Sequence, residues 1–281
     1  MRLLEFSKNI YSQTGEDGVL LKALETLTAR DKWCVEFGAW DGQHLSNTFN
    51  LIKHHGYSGV LIEGDAQRFN NLRTRFADEP RVMPVNCFVG FSAEDGLDKI
   101  LANTPIPRDF DLLSIDIDGN DYHVWEAIRV YRPKIVCIEY NPTIPTEIDF
   151  VQAADPSVNQ GASLSALTSL GRRKDYSLIA VTPLNGIFVR SELLPLFGIE
   201  DNSPRALRED TSSITHIFCG YDGTIFYRGH GSLAWHEIKY SSRIRQLPRI
   251  FRGYPGNFGR LKFLVFRAYR KFLRKLERSN F

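Results

Sequence analysis

The chain has 281 residues, 43% of them hydrophobic, and a formal net charge of +2; it can bury one substantial α/β core and need not divide into two domains. No run of about eighteen apolar residues occurs, which excludes a bilayer-spanning helix, and Met1-Arg2-Leu3-Leu4-Glu5-Phe6 is too short and too soon charged for a secretory signal. Cys34, Cys87, Cys137 and Cys219 lie in apolar, strand-like contexts with no C-x-x-C pair, so buried thiols in a reducing cytoplasm are expected rather than disulfides or zinc.

In chain order, Tyr11-Ser12-Gln13-Thr14-Gly15-Glu16-Asp17-Gly18 opens the patterned region, within an N-terminal segment of about 30 residues that reads either as a lid or as a plain helix cap. A first strand is expected at 33–38, a helix at 43–55, a second strand at 59–63 and a helix at 66–77. A third strand at 82–87, a helix at 93–103, a fourth strand at 111–117, a helix at 121–131 and a fifth strand at 134–140 follow. The loop from Asn141 to about Ser163 is long for a compact domain and reads as a substrate loop or disorder. A helix at 163–173 and a sixth strand at 176–181 lead to Pro183-Leu184-Asn185-Gly186, where Asn-Gly signals a hairpin into Ile187-Phe188-Val189. Strands alternating with helices select an α/β doubly wound, mostly parallel sheet with helices on both faces.

The first glycine turn carries the chemistry. A pyrophosphate cofactor calls for G-x-G-x-x-G, whereas here Gly38 and Gly42 are spaced G-x-x-x-G with Glu36 just before them. A carboxylate beside two phosphates is electrostatically unfavourable, and beside an ammonium and a sulfonium it is favourable. The spacing therefore points to S-adenosylmethionine. Glu63, at the tip of the second strand, is placed to accept both ribose hydroxyls, and Asn86, at the tip of the third, to bond the adenine edge. At the same turn Trp40 reads as a pocket wall or a turn anchor, and His44, just after it, as a contact to the cofactor or the acceptor.

The order E-x-G-x-x-x-G, Ile62-Glu63-Gly64-Asp65, Asp111-Leu112-Leu113-Ser114-Ile115-Asp116 and Pro133-Lys134-Ile135-Val136-Cys137-Ile138-Glu139 resembles the class I S-adenosylmethionine-dependent methyltransferases, and within them the FkbM-like group. The resemblance covers about residues 11 to 190. It implies a seven-stranded Rossmann-like sheet with an antiparallel last strand, a cofactor site drawing on Gln13, Glu36, Gly38, Gly42, Glu63, Asn86 and Asp116, and an acceptor hydroxyl on a polysaccharide or lipid-linked glycan.

Asp116-Ile117-Asp118-Gly119-Asn120-Asp121-Tyr122-His123 forms a second centre after the fourth strand. Ligands bind beyond the carboxyl ends of such strands, and alternation puts Asp116 and Asp118 on one side. Their repulsion is relieved by a cation or a shared proton. With Glu139 and Asn141 across the rim, the all-oxygen set suits magnesium, calcium or manganese. Asp116 resembles the strand-ending acid of catechol-type O-methyltransferases, whereas Ile117-Asp118-Gly119 resembles macrocin-type sugar O-methyltransferases, which carry an acid where this chain has Asn120. Asp118 or Asp121 is a candidate general base and His123 the nearest imidazole; Asp118 and Asp121 also suit plain helix capping.

From Arg243 to Phe281 there are twelve Arg or Lys residues and one acid, Glu277, so residues 241–281 read as a basic tail after a methyltransferase domain of 1–240. Leu261, Leu264, Val265, Tyr269, Phe272, Leu273 and Leu276 recur at helical spacing among the cations. Such a helix suits an anionic membrane surface at the inner face of the membrane, or packing on the body or on a second subunit; nucleic acid is not expected, because the aromatics lie on the apolar stripe. Two rival functions stand beside methyl transfer: a metal-dependent phosphohydrolase using the Asp116-Ile117-Asp118-Gly119 run, and a non-catalytic membrane-associated protein that retains the fold.

Overall fold

A computed structural model describes residues 1–240 and 247–277, with only the backbone described at Leu276 and Glu277. Arg243, Arg245 and Arg278 of the basic tail lie outside the described residues. The chain forms two compact units, Met1–Thr211 and Ser212–Phe281.

The first unit runs α1 (Glu16–Thr26), β1 (Trp33–Phe37), α2 (Phe49–His55), β2 (Ser58–Glu63), α3 (Ala66–Arg75), β3 (Val82–Asn86), α4 (Leu97–Leu101) and β4 (Leu112–Ile115). It continues with α5 (Asp121–Ala127), β5 (Ile135–Glu139), α6 (Leu164–Arg173), β6 (Tyr176–Val181), β7 (Asn185–Arg190) and the short α7 (Pro204–Leu207). The seven strands pair in the order β3-β2-β1-β4-β5-β7-β6, and β7 alone is antiparallel to its neighbours. This is the mostly parallel α/β sheet of the sequence reading.

Strand alternation splits the core into two layers. On one face Cys34, Leu61, Leu112, Cys137 and Ile187 pack with Val19, Leu20 and Leu24 of α1, Leu51 and Ile52 of α2, and Leu72 of α3. On the other, Val35, Val60, Leu113, Val136 and Phe188 pack with α4, α5 and α6 through Leu101, Trp125 and Leu167. Helix starts follow local chemistry: the Asp65 carboxylate caps α3 by accepting from Gln67 N and Arg68 N, and Ser163 caps α6 by accepting from Ala166 N. Five residues of α1, Glu16, Val19, Leu20, Ala23 and Leu24, are fully buried, so this helix belongs to the core.

Three expectations shift. The helix read from residue 43 begins at Phe49, because Ser46, Asn47 and Thr48 turn inward to bond the Glu36 carboxylate. The helices read at 93–103 and 121–131 shorten to Leu97–Leu101 and Asp121–Ala127. Asn185-Gly186 is not the hairpin turn: both residues belong to β7, Thr182 and Asn185 close the connection through Pro183-Leu184, and the Asn185 amide donates to Glu16.

The second unit contains the antiparallel hairpin β8 (Thr215–Cys219) and β9 (Ile225–Gly229), then α8 (Arg260–Glu277).

Candidate active site

Parallel register assembles the site. β1 pairs with β4 so that Glu36 faces Ser114, and β4 with β5 so that Ser114 faces Cys137. One period further along each strand, the same column holds Gly38, Asp116 and Glu139 at the carboxyl edge. Gly38 has φ +74°, and a Cβ there would lie 1.9 Å from the Asp116 carbonyl oxygen, so only glycine lets the β1 turn close against the β4 turn.

Asp116, Asp118 and Glu139 each bring one carboxylate oxygen within 4.8 Å of the others. Burial, then the charges of Asp121 and Asp118, push the Asp116 carboxyl up to about 7, and burial followed by Asp116 drives Glu139 well above the ordinary carboxylate range. Asp116 and Glu139 therefore bind protons more tightly than ordinary carboxylates do. Asp118 is the exposed member, with φ +56°, and Asn159 Nδ2 donates to its carbonyl at 2.9 Å.

The remaining acids have structural tasks. Glu36 is buried and its carboxylate accepts from Ser46 Oγ (2.6 Å), Asn47 N (2.7 Å) and Thr48 Oγ1 (2.7 Å), which leaves it as the anchor of the turn before α2. Asp121 is buried with a raised pKa, caused first by burial, and accepts from Ile117 N (3.0 Å) and Gly119 N (2.9 Å), so it fixes the β4 turn. His123 Nε2 meets Gln152 O at 2.9 Å and ties α5 to the long loop. Asn141 Oδ1 accepts from Thr143 N and Thr143 Oγ1, so its amide oxygen shapes its own turn.

On the cofactor side, Glu63 Oε2 accepts from Trp40 N (2.8 Å) and Oε1 from Asp65 N (2.7 Å). Each oxygen keeps a second lone pair at the rim. Gly42 is buried, and a Cβ on it would lie 2.4 Å from the Phe76 ring and 2.6 Å from Leu72, so this glycine lets α3 pack close against the turn. Asn86 Nδ2 donates to Glu63 O at 2.8 Å and joins the ends of β2 and β3. The Gln13 side chain is exposed, and its carbonyl accepts from Asn9.

Sequence reasoning missed two features. Glu16 is fully buried and accepts from Thr14, Thr182 and Asn185; burial raises its carboxyl, but the bonds from Thr14 and Thr182 prevail and hold it below the usual range. The Glu-Asp pair at the head of α1 was the signal for it. Phe88 is 79% exposed, and a Cβ on Gly64 would lie 2.3 Å from its ring, which sets a free aromatic face beside Glu63. Its only trace in sequence is an aromatic two residues past a strand end.

No family model matches the chain, and no curated protein does. Among solved structures it is similar to a putative O-methyltransferase from Klebsiella pneumoniae (16% identity, 67% of this chain and 88% of that one, TM-score 0.44). It is also similar to the N-terminal domain of EvdMO1 with SAH bound (9% identity, 64% and 82%, TM-score 0.42) and to the CcbJ methyltransferase from Streptomyces caelestis (12% identity, 64% and 91%, TM-score 0.41). These are likenesses of outline, and they say nothing about the acceptor.

Proposed function

We propose that the chain is an S-adenosylmethionine-dependent methyltransferase of the FkbM-like kind, acting on a sugar hydroxyl of a polysaccharide or lipid-linked glycan at the inner face of the membrane. The observation that carries this reading is the set of half-buried and exposed acids at the carboxyl edge of β4 and β5, beside a glycine turn that has no phosphate-binding spacing. Asp116 and Glu139, whose affinity for protons is raised by burial and by their acidic neighbours, also have raised affinity for a positive ligand.

The residues fit both groups this chemistry needs. S-adenosylmethionine supplies an electrophilic methyl on a sulfonium, and a hard divalent cation lowers the pKa of an acceptor hydroxyl. Glu63 has a free lone pair on each oxygen for the ribose hydroxyls, and Phe88 offers an open ring face to the adenine. Asp116, Asp118 and Glu139 form the all-oxygen set that magnesium or manganese prefers. Asp118, exposed at the rim, takes the hydroxyl proton as the acceptor oxygen attacks.

The acceptor side is supported by a cavity of about 600 Å³ lined by Asn141, Thr143, Ile144, Pro145, Phe150 and Gln160. Asn159, on the same wall, bonds the Asp118 carbonyl. Amides beside an apolar and aromatic floor suit a sugar ring, whose edge is polar and whose face is not. Alignment of acceptor and methyl, with water shed, supplies most of the rate.

Isothermal titration with S-adenosylmethionine tests the reading, with a phosphate ester as the comparison ligand. Saturable heat from the first and none from the second is expected, and Glu63→Gln should weaken binding by about tenfold or more, the loss of a charge-assisted hydrogen bond. Heat from the phosphate ester alone would replace the methyltransferase with a phosphohydrolase.

A further inference from the structure

α8 is a helix of 18 residues with two adjacent apolar stripes, and among the described residues of its own unit one of them is covered by aromatic rings. Phe266 and Tyr269 are taken: Phe251 lies 5.6 Å from the first ring and 5.1 Å from the second, and Phe258 lies 5.6 Å from Phe266. At about 100° per residue, Leu261, Leu264, Val265 and Phe272 form the neighbouring stripe. Those four side chains are 78%, 53%, 45% and 58% exposed.

Cations border that stripe. Arg260, Arg267, Lys271 and Arg274 fall along one flank of it, Lys275 lies within it toward the C-terminal end, where its long stem can reach the headgroups, and no acid occurs in the helix before Glu277. We infer that the Leu261, Leu264, Val265 and Phe272 face of α8 docks on an anionic lipid surface, its apolar side chains entering the headgroup boundary and its flanking cations meeting lipid phosphates and carboxylates. This inference does not depend on the reading of the acidic rim.

Charge decides between occupants. In an antiparallel two-fold dimer through this face the cationic flank of one copy would lie against the cationic flank of the other, which costs free energy instead of supplying it. Nucleic acid would match the charge, but three of the four exposed side chains are aliphatic and offer no ring face to a base. An anionic bilayer matches both features.

Sedimentation of the full chain with vesicles of phosphatidylcholine, and of phosphatidylcholine with about 30% phosphatidylserine, tests this. Binding to the anionic vesicles is expected, weakening as salt rises from about 0.05 M to about 0.5 M. Arg267→Gln, Lys271→Gln and Arg274→Gln together should weaken it on the order of 100-fold, at about fivefold per cation. Leu264→Asp with Phe272→Asp should abolish it and leave S-adenosylmethionine titration unchanged. Glu63→Gln should leave vesicle binding unchanged, so failure of the rim reading and failure of this one are distinguishable. Vesicle binding that ignores both the cation and the apolar variants overturns the inference. So does a concentration-dependent dimer that Leu264→Asp dissociates in the absence of vesicle binding, or retention by single-stranded RNA with no binding to lipid.

Discussion

Asp116 is the residue whose environment has the clearest thermodynamic consequence. Its ordinary pKa is 3.8, and burial, with Asp121 and Asp118 beside it, brings it to about 7. Across that interval the folded chain holds a proton that the unfolded chain has released, so stability falls as pH rises from about 4 to 7. Thermal melts in the presence of a chelator should show this fall, and Asp116→Asn should flatten it. Magnesium or manganese, if held by the three carboxylates, should restore stability above pH 7 and release protons on binding near pH 6, measurable as buffer-dependent heat. A wild-type melting temperature that is level across this range would mean that the three acids are not in conflict. Asp111 carries a different charge problem at the opposite edge of the sheet. It is fully buried and paired with Lys134 at 2.6 Å, and Asp111→Ala should cost about 3–5 kcal/mol in chemical denaturation because Lys134 is left without its inner partner.

At the scale of elements, the turn after β4 and the loop after β5 hold each other. Asn120 Nδ2 donates to Asp155 O (3.1 Å) and Val158 O (3.4 Å), while Gln152 donates to Val158 O and accepts from Gln160 N and Gly161 N. This accounts for an amide where the macrocin-type pattern has an acid: an ionised carboxylate has no proton to give to two carbonyls. Asn120→Asp should therefore release the loop, seen as faster proteolysis between residues 150 and 161 with little change in the melting temperature of the core. Unaltered proteolysis would count against the clamp. Gly42→Ala tests the other glycine turn. Its Cβ would strike Phe76 and Leu72 at a backbone φ of +76°, and a loss of about 2–4 kcal/mol is expected, with cofactor affinity retained in the folded fraction.

At the scale of the whole molecule, the chain divides at Thr211 and Ser212 into a unit that carries the acidic rim and a unit that carries α8. A protein ending at Thr211 should still bind S-adenosylmethionine by titration, since every residue of the rim lies before that point. Loss of cofactor binding on this truncation would show that the second unit completes the site. The charge pattern changes elsewhere, with eleven net positive charges after residue 242 and about nine net negative charges before it, so the boundary read at 240 from composition falls inside the second unit, after the β8–β9 hairpin.

Sequence by itself determined the strands of the seven-stranded sheet and their mostly parallel arrangement, because buried strands are short apolar runs, and it put Asp116, Asp118 and Glu139 at the ends of two of them; the exposed β8–β9 hairpin lies outside that signal. Sequence also marked Gly38 and Glu63 as ends of strands that face one crevice. Only the tertiary structure decided which acids remain available to a ligand. Glu36 and Asp121 are spent on main-chain amides and hydroxyls, Asn141 on Thr143, and Gly42 on an aromatic ring. Local spacing gives the direction of a side chain along a strand, but the partner that fills its hydrogen bonds or its space comes from a segment distant in sequence or from a turn of irregular shape, and no periodicity records either.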